Sequence, residues 1–315
     1  MQGKKFAAGL LVAVVCLPAW HWAMSWREAR LYPPRGEYFA GLHFYCQGAG
    51  EPAVIFEAGL GATYLDFMPI QKQVAQFTRA CTYDRAGLGW SQSSSRTRTA
   101  QNAAGELLAA LTQAGINSPV LVVAHSYGAL VAESIAMQGP ERLAGLILLD
   151  PSYPAEVRLE GAPSTALAPV LPFLIAMGAW RFRNLFDRSD PRLSPEADRE
   201  IGALTNRSGH LITFIREIQA LDESSQFLET HFLDGHAPRL TGKPVIILAR
   251  GTADGAKDLA SRREQQMQLA HAFPLGSFEV IPAADHFIYL DNPEIVVARV
   301  RETVQAVRVS PRPAW

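Results

Sequence analysis

The sequence lacks an excess of charge of either sign. Its 29 lysine and arginine residues stand against 30 aspartate and glutamate residues, which leaves a formal net charge of −1. Without a basic excess to neutralise phosphates, nothing in this balance indicates a nucleic-acid partner. The sequence also lacks heptads, solenoid repeats and low-complexity tracts, apart from a polar stretch at residues 91–99 that is typical of a solvated loop. These absences argue against a coiled coil or a repeat array.

Charged residues are sparse, at 19% of the chain, whereas hydrophobic residues make up 48%. A chain of 315 residues with this composition can form a sizeable core, and the composition argues against global disorder. The length suits one large domain with an insertion, or two small domains.

An apolar run from Phe6 to Met24 follows two lysines near the N-terminus. As a helix it would span roughly 28 Å, close to the ~30 Å hydrocarbon core of a bilayer, and three tryptophans cluster at its end like an interfacial aromatic belt. Residues 1–30 are therefore predicted to be a membrane anchor or a cleaved signal segment, with a buried helix of the fold as the third interpretation. The first two predict a membrane-anchored or exported protein, with the rest of the chain in the periplasm or another extracytoplasmic space.

Strands alternate with helices along residues 33–151 and again along 240–310. Short apolar runs such as Ala53–Phe56 are typical of buried strands in a parallel sheet. Residues 152–239 contain no convincing strand and are predicted to be a helical insertion. The sequence thus predicts an α/β fold with a mostly parallel central sheet, flanking helices and a helical insertion.

The segment VVAHSYGALVAES places Ser126 between a predicted strand and a predicted helix. A nucleophilic serine on such a sharp turn needs small residues two positions before and after it, and Ala124 and Gly128 meet this requirement. The hydroxyl would then project at a helix N-terminus, whose dipole favours developing negative charge. The alternative is a serine that only caps the helix.

A serine nucleophile needs a base and a third group that orients the base. Among the eight histidines, His286 follows a late predicted strand, at the edge of an open parallel sheet where ligands bind. Asp254 leaves a strand end before this histidine, and we favour it as the orienting acid. Asp150 is the competing candidate, followed by Asp258. His125 is expected to be structural, because its ring would point away from the reaction.

Acyl transfer also needs hydrogen-bond donors for the oxyanion, and backbone N–H groups suffice. The glycine-rich stretch EAGLGA, residues 57–62, directly follows the predicted strand Ala53–Phe56. Its glycines would let the backbone approach a substrate closely. We predict the N–H groups of Leu60 and Tyr127 as the two donors. The alternative for this stretch is a simple tight turn.

These segments together resemble the α/β-hydrolase superfamily over most of residues 33–307. The resemblance rests on EAGLGATYLDF, YDRAGLGWS, LVVAHSYGALVAES, LAGLILLDPSYP, ILARGTADGA and PAADHFIYLDNPE, in the family's order serine, aspartate, histidine. It is similar to the bacterial type with a glutamate-alanine-glycine oxyanion loop, a helical cap and an N-terminal hydrophobic leader. The sequence departs from the usual pattern in two places. Ala124 replaces the common first glycine of the elbow, and Glu57-Ala58-Gly59 stands where many relatives have histidine-glycine.

The resemblance implies a serine hydrolase that cleaves an ester-like bond of a small or partly apolar substrate through an acyl-enzyme. It implies no metal and no organic cofactor. Carbon–carbon bond hydrolases, lactonases and cofactor-free haloperoxidases share the fold and stay open as alternatives. Haloalkane dehalogenases and epoxide hydrolases are disfavoured, because those relatives carry aspartate at the elbow. A non-catalytic membrane-anchored binding module and a lipid-transport element are the alternatives from other functional classes.

The family topology also implies a disulfide. In that topology the second strand lies antiparallel beside the fourth, and HFYC and ACTYD would be these two strands. Cys46 would then lie near Cys81, so the resemblance implies that they are bonded if the domain is exported. The alternative is two buried free thiols.

Overall fold

Eight strands form one sheet in the computed structural model of the chain, which describes residues 2–152, 170–182, 190–230, 240–252 and 259–309. In chain order the strands are β1 (Glu37–Phe39), β2 (Leu42–Gln47), β3 (Val54–Glu57), β4 (Ala80–Tyr83), β5 (Val120–His125), β6 (Leu143–Leu149), β7 (Val245–Arg250) and β8 (Gly276–Ile281). Their spatial order is β1-β2-β4-β3-β5-β6-β7-β8. The first two pairings in this order are antiparallel and the others are parallel. The mostly parallel sheet predicted from the sequence is confirmed.

Helices lie before, between and after the strands. In chain order they are α1 (Gln2–Leu31), α2 (Met68–Val74), α3 (Ala100–Gln113), α4 (Gly128–Gln138), α5 (Leu171–Ala176), α6 (Pro195–Thr205), α7 (Ser208–Gln219), α8 (Leu221–Leu228), α9 (Leu259–His271), α10 (Ile288–Asp291) and α11 (Pro293–Val309). Between β6 and β7, the described residues contain helices and no strand. We call the predicted insertion at 152–239 the cap; its limits stay a prediction.

The core lies on both faces of the sheet. Along β5, Val122 and Ala124 pack into one apolar cluster, whereas Leu121 and Val123 pack into another. This alternation follows from the two-residue period of a strand. Helices α3 and α4 cover the first cluster, and α2 and α11 cover the second. A strand buried on both faces has a continuous apolar sequence. These strands could therefore be predicted from the sequence.

The start of α6 also follows from local chemistry. Ser194 precedes α6, and its hydroxyl accepts a hydrogen bond from the backbone N–H of Ala197 at 3.2 Å. Pro195 is the first helical residue, where its missing N–H costs nothing. The serine cap and the proline together fix the first turn of α6.

A disulfide joins the two strands at one side of the sheet. Cys46 of β2 and Cys81 of β4 are register partners, and their sulfur atoms are bonded at 2.05 Å. The pairing implied by the family topology is therefore confirmed.

The C-terminal part of α1 packs against the cap. The His21 side chain is buried; its Nε2 lies 2.8 Å from Ser208 Oγ, and its Nδ1 accepts from Arg181 at 2.9 Å. Arg181 also makes a bidentate ion pair with Glu28, with both N–O distances at 2.7 Å. Among the helices whose residues are described, none combines the length and the apolar character required to cross a membrane.

Candidate active site

Ser126 lies on a sharp turn between β5 and α4. Its φ of +52° is in the left-handed region, which costs a residue with a side chain energy unless the surroundings enforce it. A Cβ atom added to Gly128 would lie 2.5 Å from the carbonyl oxygen of Glu57 and 2.8 Å from that of Ala58. The turn therefore requires glycine two positions after the serine, as the sequence pattern predicted. Ala124, two positions before it, is fully buried.

His286 reaches Ser126 from the loop between β8 and α10. Its Nε2 lies 3.0 Å from Ser126 Oγ, and its Nδ1 lies 2.6 Å from Oδ2 of Asp150. An ionised carboxylate only accepts hydrogen bonds, so Nδ1 carries the proton and donates it to Asp150. Nε2 then has a free lone pair and accepts from the serine hydroxyl. This is the arrangement in which a histidine can act as a general base.

Asp150 follows β6 directly and is fully buried. Burial alone would raise the pKa of this carboxyl, but the hydrogen bond with His286 and the charge of Arg262 outweigh it and hold the pKa well below its usual range. Gln266 Nε2 donates to Oδ1 at 3.1 Å, and Arg262 Nε lies 3.3 Å from the same oxygen. The carboxylate is thus ionised and fixed in place.

The carboxylate on His286 is therefore that of the competing candidate, Asp150. Asp254, which the sequence led us to favour, and Asp258 both lie outside the described residues. Asp150 and Asp254 both follow strands that end at the same edge of the sheet, so position along the chain could not separate them.

The two predicted oxyanion donors lie on neighbouring segments. A Cβ atom added to Gly59 would lie 3.6 Å from Cβ of Ser126, so the loop that carries Leu60 abuts the serine. Tyr127 follows the serine directly at the start of α4. Neither the Leu60 nor the Tyr127 amide donates a backbone hydrogen bond within the described part of the chain. Both are therefore suited to receive an oxyanion.

His125 is buried behind the site. Its Nε2 donates to the carbonyl oxygen of His286 at 2.9 Å, and its ring packs 4.5 Å from the His286 ring, centroid to centroid. It therefore supports the loop of His286, which fits the structural role expected from the sequence.

Two charged residues beside the site were missed from the sequence. Arg85 and Glu217 are buried against the loop of residues 57–61, which we call the oxyanion loop. Arg85 stands in YDRAGLGWS directly after a buried strand, and an arginine at that place was a usable signal. Glu217 lies on α7 in an ordinary amphipathic pattern, so the sequence carried no signal for it. Within the described residues, no group of three or more histidine, cysteine, aspartate or glutamate side chains is arranged to hold a metal ion.

Comparison with known proteins gives the same fold. The profile of the Alpha/beta hydrolase family matches residues 48–299. An uncharacterized Bacillus subtilis protein, YqjL, is 35% identical over 115 residues; the match covers 36% of this chain and only 46% of YqjL, so less than half of that relative is spanned.

Solved structures cover more of the chain at lower identity. A thermophilic esterase from Thermogutta terrifontis is 21% identical with a TM-score of 0.62, over 84% of this chain and 93% of the esterase. A laboratory-evolved variant of potato epoxide hydrolase StEH1 is 15% identical with a TM-score of 0.64, over 86% of this chain and 98% of the hydrolase. These likenesses establish the fold. With its strand order, its serine turn and a family profile that spans residues 48–299, the chain is a member of the alpha/beta hydrolase family.

Proposed function

We propose that the protein is a serine hydrolase that cleaves an ester-like bond through an acyl-enzyme. The observation that carries this proposal is the continuous hydrogen-bonded chain from Ser126 Oγ to His286 at 3.0 Å and from His286 to Asp150 at 2.6 Å. A nucleophile, a base and an orienting acid in this order are the working parts of a serine hydrolase.

In the proposed reaction, Ser126 Oγ attacks the carbonyl carbon while His286 Nε2 takes the hydroxyl proton. The carbonyl oxygen becomes an oxyanion that accepts hydrogen bonds from the Leu60 and Tyr127 amides. When the intermediate collapses, the bond to the leaving group breaks and His286 returns the proton to it. Water then attacks the acyl-enzyme by the same steps and regenerates Ser126. Asp150 stabilises the imidazolium that forms in each step.

The serine at the elbow supports an ester-like bond over an epoxide, because the epoxide hydrolases that the sequence resembles use aspartate there. The apolar cap sequence from Leu171 to Trp180 supports a substrate with an apolar portion. A panel of p-nitrophenyl esters with acyl chains from two to sixteen carbons measures the preferred length. Turnover of a lactone or of a carbon–carbon substrate in preference to every ester would move the protein to one of the alternative reaction classes.

A fluorophosphonate probe tests the nucleophile directly. We expect the wild-type protein to be labelled on Ser126, and labelling to disappear in Ser126→Ala. Ser152→Ala is a matched control, because Ser152 Oγ lies 3.4 Å from Ser126 Oγ and is the alternative acceptor of the label. Labelling that persists in Ser126→Ala but disappears in Ser152→Ala would reject our assignment. No labelling of folded wild-type protein would favour the non-catalytic binding module.

We also propose that α1 stays attached to the mature protein, which is exported and held at a membrane surface. The contacts of His21 and Glu28 with Arg181 support retention, because a cut near Ser25 would remove the buried histidine from the cap. Trp22 and Trp26 are 69% and 48% exposed on the same helix, as an interfacial belt requires. The disulfide supports an oxidising compartment.

The N-terminus of the protein recovered from its native cells tests the retention of α1. We expect mass spectrometry of the membrane fraction to find peptides that include His21. Washing the membranes with 1 M salt is expected to leave the protein bound. Salt screens interactions between charges, whereas the apolar run would bind the membrane by hydrophobic burial. A mature N-terminus near Trp26, or recovery in the soluble fraction only, would contradict the proposal.

A further inference from the structure

We propose that Glu217, a residue of the cap, is a positioning residue for the oxyanion loop, so that the oxyanion site is complete only while α7 is seated against the core. This inference rests on the proposed function, since an oxyanion site has a role only if Ser126 attacks a carbonyl. The oxyanion loop belongs to the core and α7 belongs to the cap. The buried cation Arg85 contacts both of them.

The side chain of Arg85 binds backbone carbonyl groups of the oxyanion loop. The guanidinium donates to the carbonyl oxygen of Ala58 at 2.6 Å and to that of Gly59 at 2.8 Å. Nη1, the nitrogen that donates to Ala58, also donates to Oε1 of Glu57 at 2.8 Å. Three successive residues of the loop are thus held by one side chain.

The bond to the Gly59 carbonyl sets the direction of the Leu60 amide. These two groups belong to the same peptide unit, which is planar and trans, so its C=O and N–H point in opposite directions. When the Gly59 carbonyl is held on Arg85, the Leu60 N–H is held pointing away from Arg85. That amide is one of the two predicted donors to the oxyanion, and a rotation of this peptide would withdraw it.

Glu217 fixes Arg85 in turn. Its Oε1 accepts from Arg85 Nε at 2.7 Å, and its Oε2 accepts from the neighbouring nitrogen at 3.0 Å, which is the bidentate geometry of a strong carboxylate–guanidinium pair. Oε2 also accepts from the backbone N–H of Gly61 at 3.1 Å. One carboxylate from the cap therefore orients the arginine and holds the residue after Leu60.

The charge balance of the cluster depends on Glu217. Burial opposes a charged guanidinium, but the carboxylates of Glu217 and Glu57 overcome it and hold the pKa of Arg85 well above its ordinary value. Burial raises the pKa of Glu57, although Arg85 opposes that shift, and Tyr83 donates a hydrogen bond to the same carboxyl. Without Glu217, Arg85 would be a buried cation whose remaining acidic partner is Glu57.

A second contact joins α7 to the same loop. His210 Nε2 lies 3.0 Å from the carbonyl oxygen of Gly61, and the Gly89 N–H donates to His210 Nδ1 at 3.0 Å. Since Nδ1 accepts, Nε2 carries the proton and donates to Gly61. Gly61 is therefore held by α7 at both its N–H and its C=O, through Glu217 and His210. A displacement of α7 from the core would release Gly61 and remove the carboxylate that orients Arg85.

The variant Glu217→Gln tests this role because it keeps the shape and removes the charge. Glu200→Gln is the matched control: Glu200 is also a buried cap glutamate, on α6, but it accepts from Tyr64 Oη at 3.0 Å and pairs with Arg35, away from Arg85. We expect hydrogen–deuterium exchange in the peptide that spans residues 57–63 to become at least tenfold faster in Glu217→Gln than in Glu200→Gln. Glu217→Asp serves as a second variant, with an intermediate increase, if Glu217→Gln does not fold.

Kinetics separate positioning from simple loosening of the cap. For the preferred ester, we expect Glu217→Gln to lower kcat by roughly 10- to 100-fold with KM within threefold, since a misdirected oxyanion donor acts mainly on the transition state. An alkyl boronic acid forms a tetrahedral adduct that places an oxygen in the oxyanion site. We expect its Ki for Glu217→Gln to rise by the same factor by which kcat falls. Glu200→Gln is expected to lower the melting temperature while kcat stays within threefold of wild type.

The outcomes separate the two proposals. Unchanged exchange in the 57–63 peptide, equal exchange in both variants, or a kcat of Glu217→Gln within twofold of wild type would overturn the role of Glu217. Wild-type protein that neither reacts with the fluorophosphonate nor turns over any ester would instead overturn the hydrolase proposal. The exchange experiment would then still decide whether Glu217 holds the loop.

Discussion

Asp150→Asn is expected to lower kcat by about 10⁴-fold toward the preferred ester. Asparagine keeps the size of the side chain but can present its NH₂ group to His286 Nδ1, which favours the tautomer with the proton on Nε2. That tautomer cannot accept the proton of Ser126. The variant also loses the negative charge that stabilises the imidazolium. Steady-state kinetics with a p-nitrophenyl ester, together with a thermal melt that confirms folding, measure the effect.

Asp254→Asn is the matched control for this prediction, because the sequence favoured Asp254 for the same role. We expect its kcat to stay within about tenfold of wild type, far above that of Asp150→Asn. The opposite ranking would return the role of the acid to Asp254. Equal losses of several orders of magnitude in both variants would also reject the unique role of Asp150 that the 2.6 Å contact with His286 indicates.

Glu133→Gln is expected to stabilise the protein increasingly as pH rises from 5 to 8. Glu133 is buried in α4, and its Oε1 has no hydrogen-bond partner in the described part of the chain. Burial raises the pKa of this carboxyl from 4.5 to about 8. Between these two values the unfolded chain has released a proton that the folded protein keeps, so the free energy of unfolding falls as pH rises. The wild-type protein loses none of its free energy of unfolding below pH 4.5, where Glu133 is protonated in both states. The loss reaches roughly 5 kcal/mol once the pH passes the pKa of Glu133 in the folded protein.

Thermal melts of the wild type and of Glu133→Gln at pH 5 and pH 8 check this prediction. The difference in Tm between the two proteins at pH 5 measures the effect of replacing the carboxyl group by an amide in the same surroundings. It is the internal control. The growth of that difference toward pH 8 reports the ionisation, and about 2–4 °C is expected for each kcal/mol. A difference that does not change with pH would contradict a buried, protonated Glu133.

The sequence was sufficient for features that depend on local chemistry. A strand buried on both faces needs a continuous apolar run, and a sharp serine turn needs small neighbours, so β5, Ser126 and Gly128 could be recognised without coordinates. His286 was separable from the other histidines because it alone follows a late strand at the correct edge of the sheet. The disulfide needed the strand order as well, and the family resemblance supplied it.

Only the tertiary structure decided which carboxylate touches His286 and what holds the oxyanion loop. Nδ1 of a histidine carries a single proton and so has one preferred acceptor, but Asp150 and Asp254 both follow strand ends, and the sequence favoured Asp254. Glu217 lies 132 positions after Arg85 in the chain. The hydrophobic periodicity of a helix predicts which of its faces packs against the core. It does not predict which buried cation on another element a glutamate of that helix will contact. Contacts of that kind depend on how the cap packs on the sheet, and packing is a property of the whole fold.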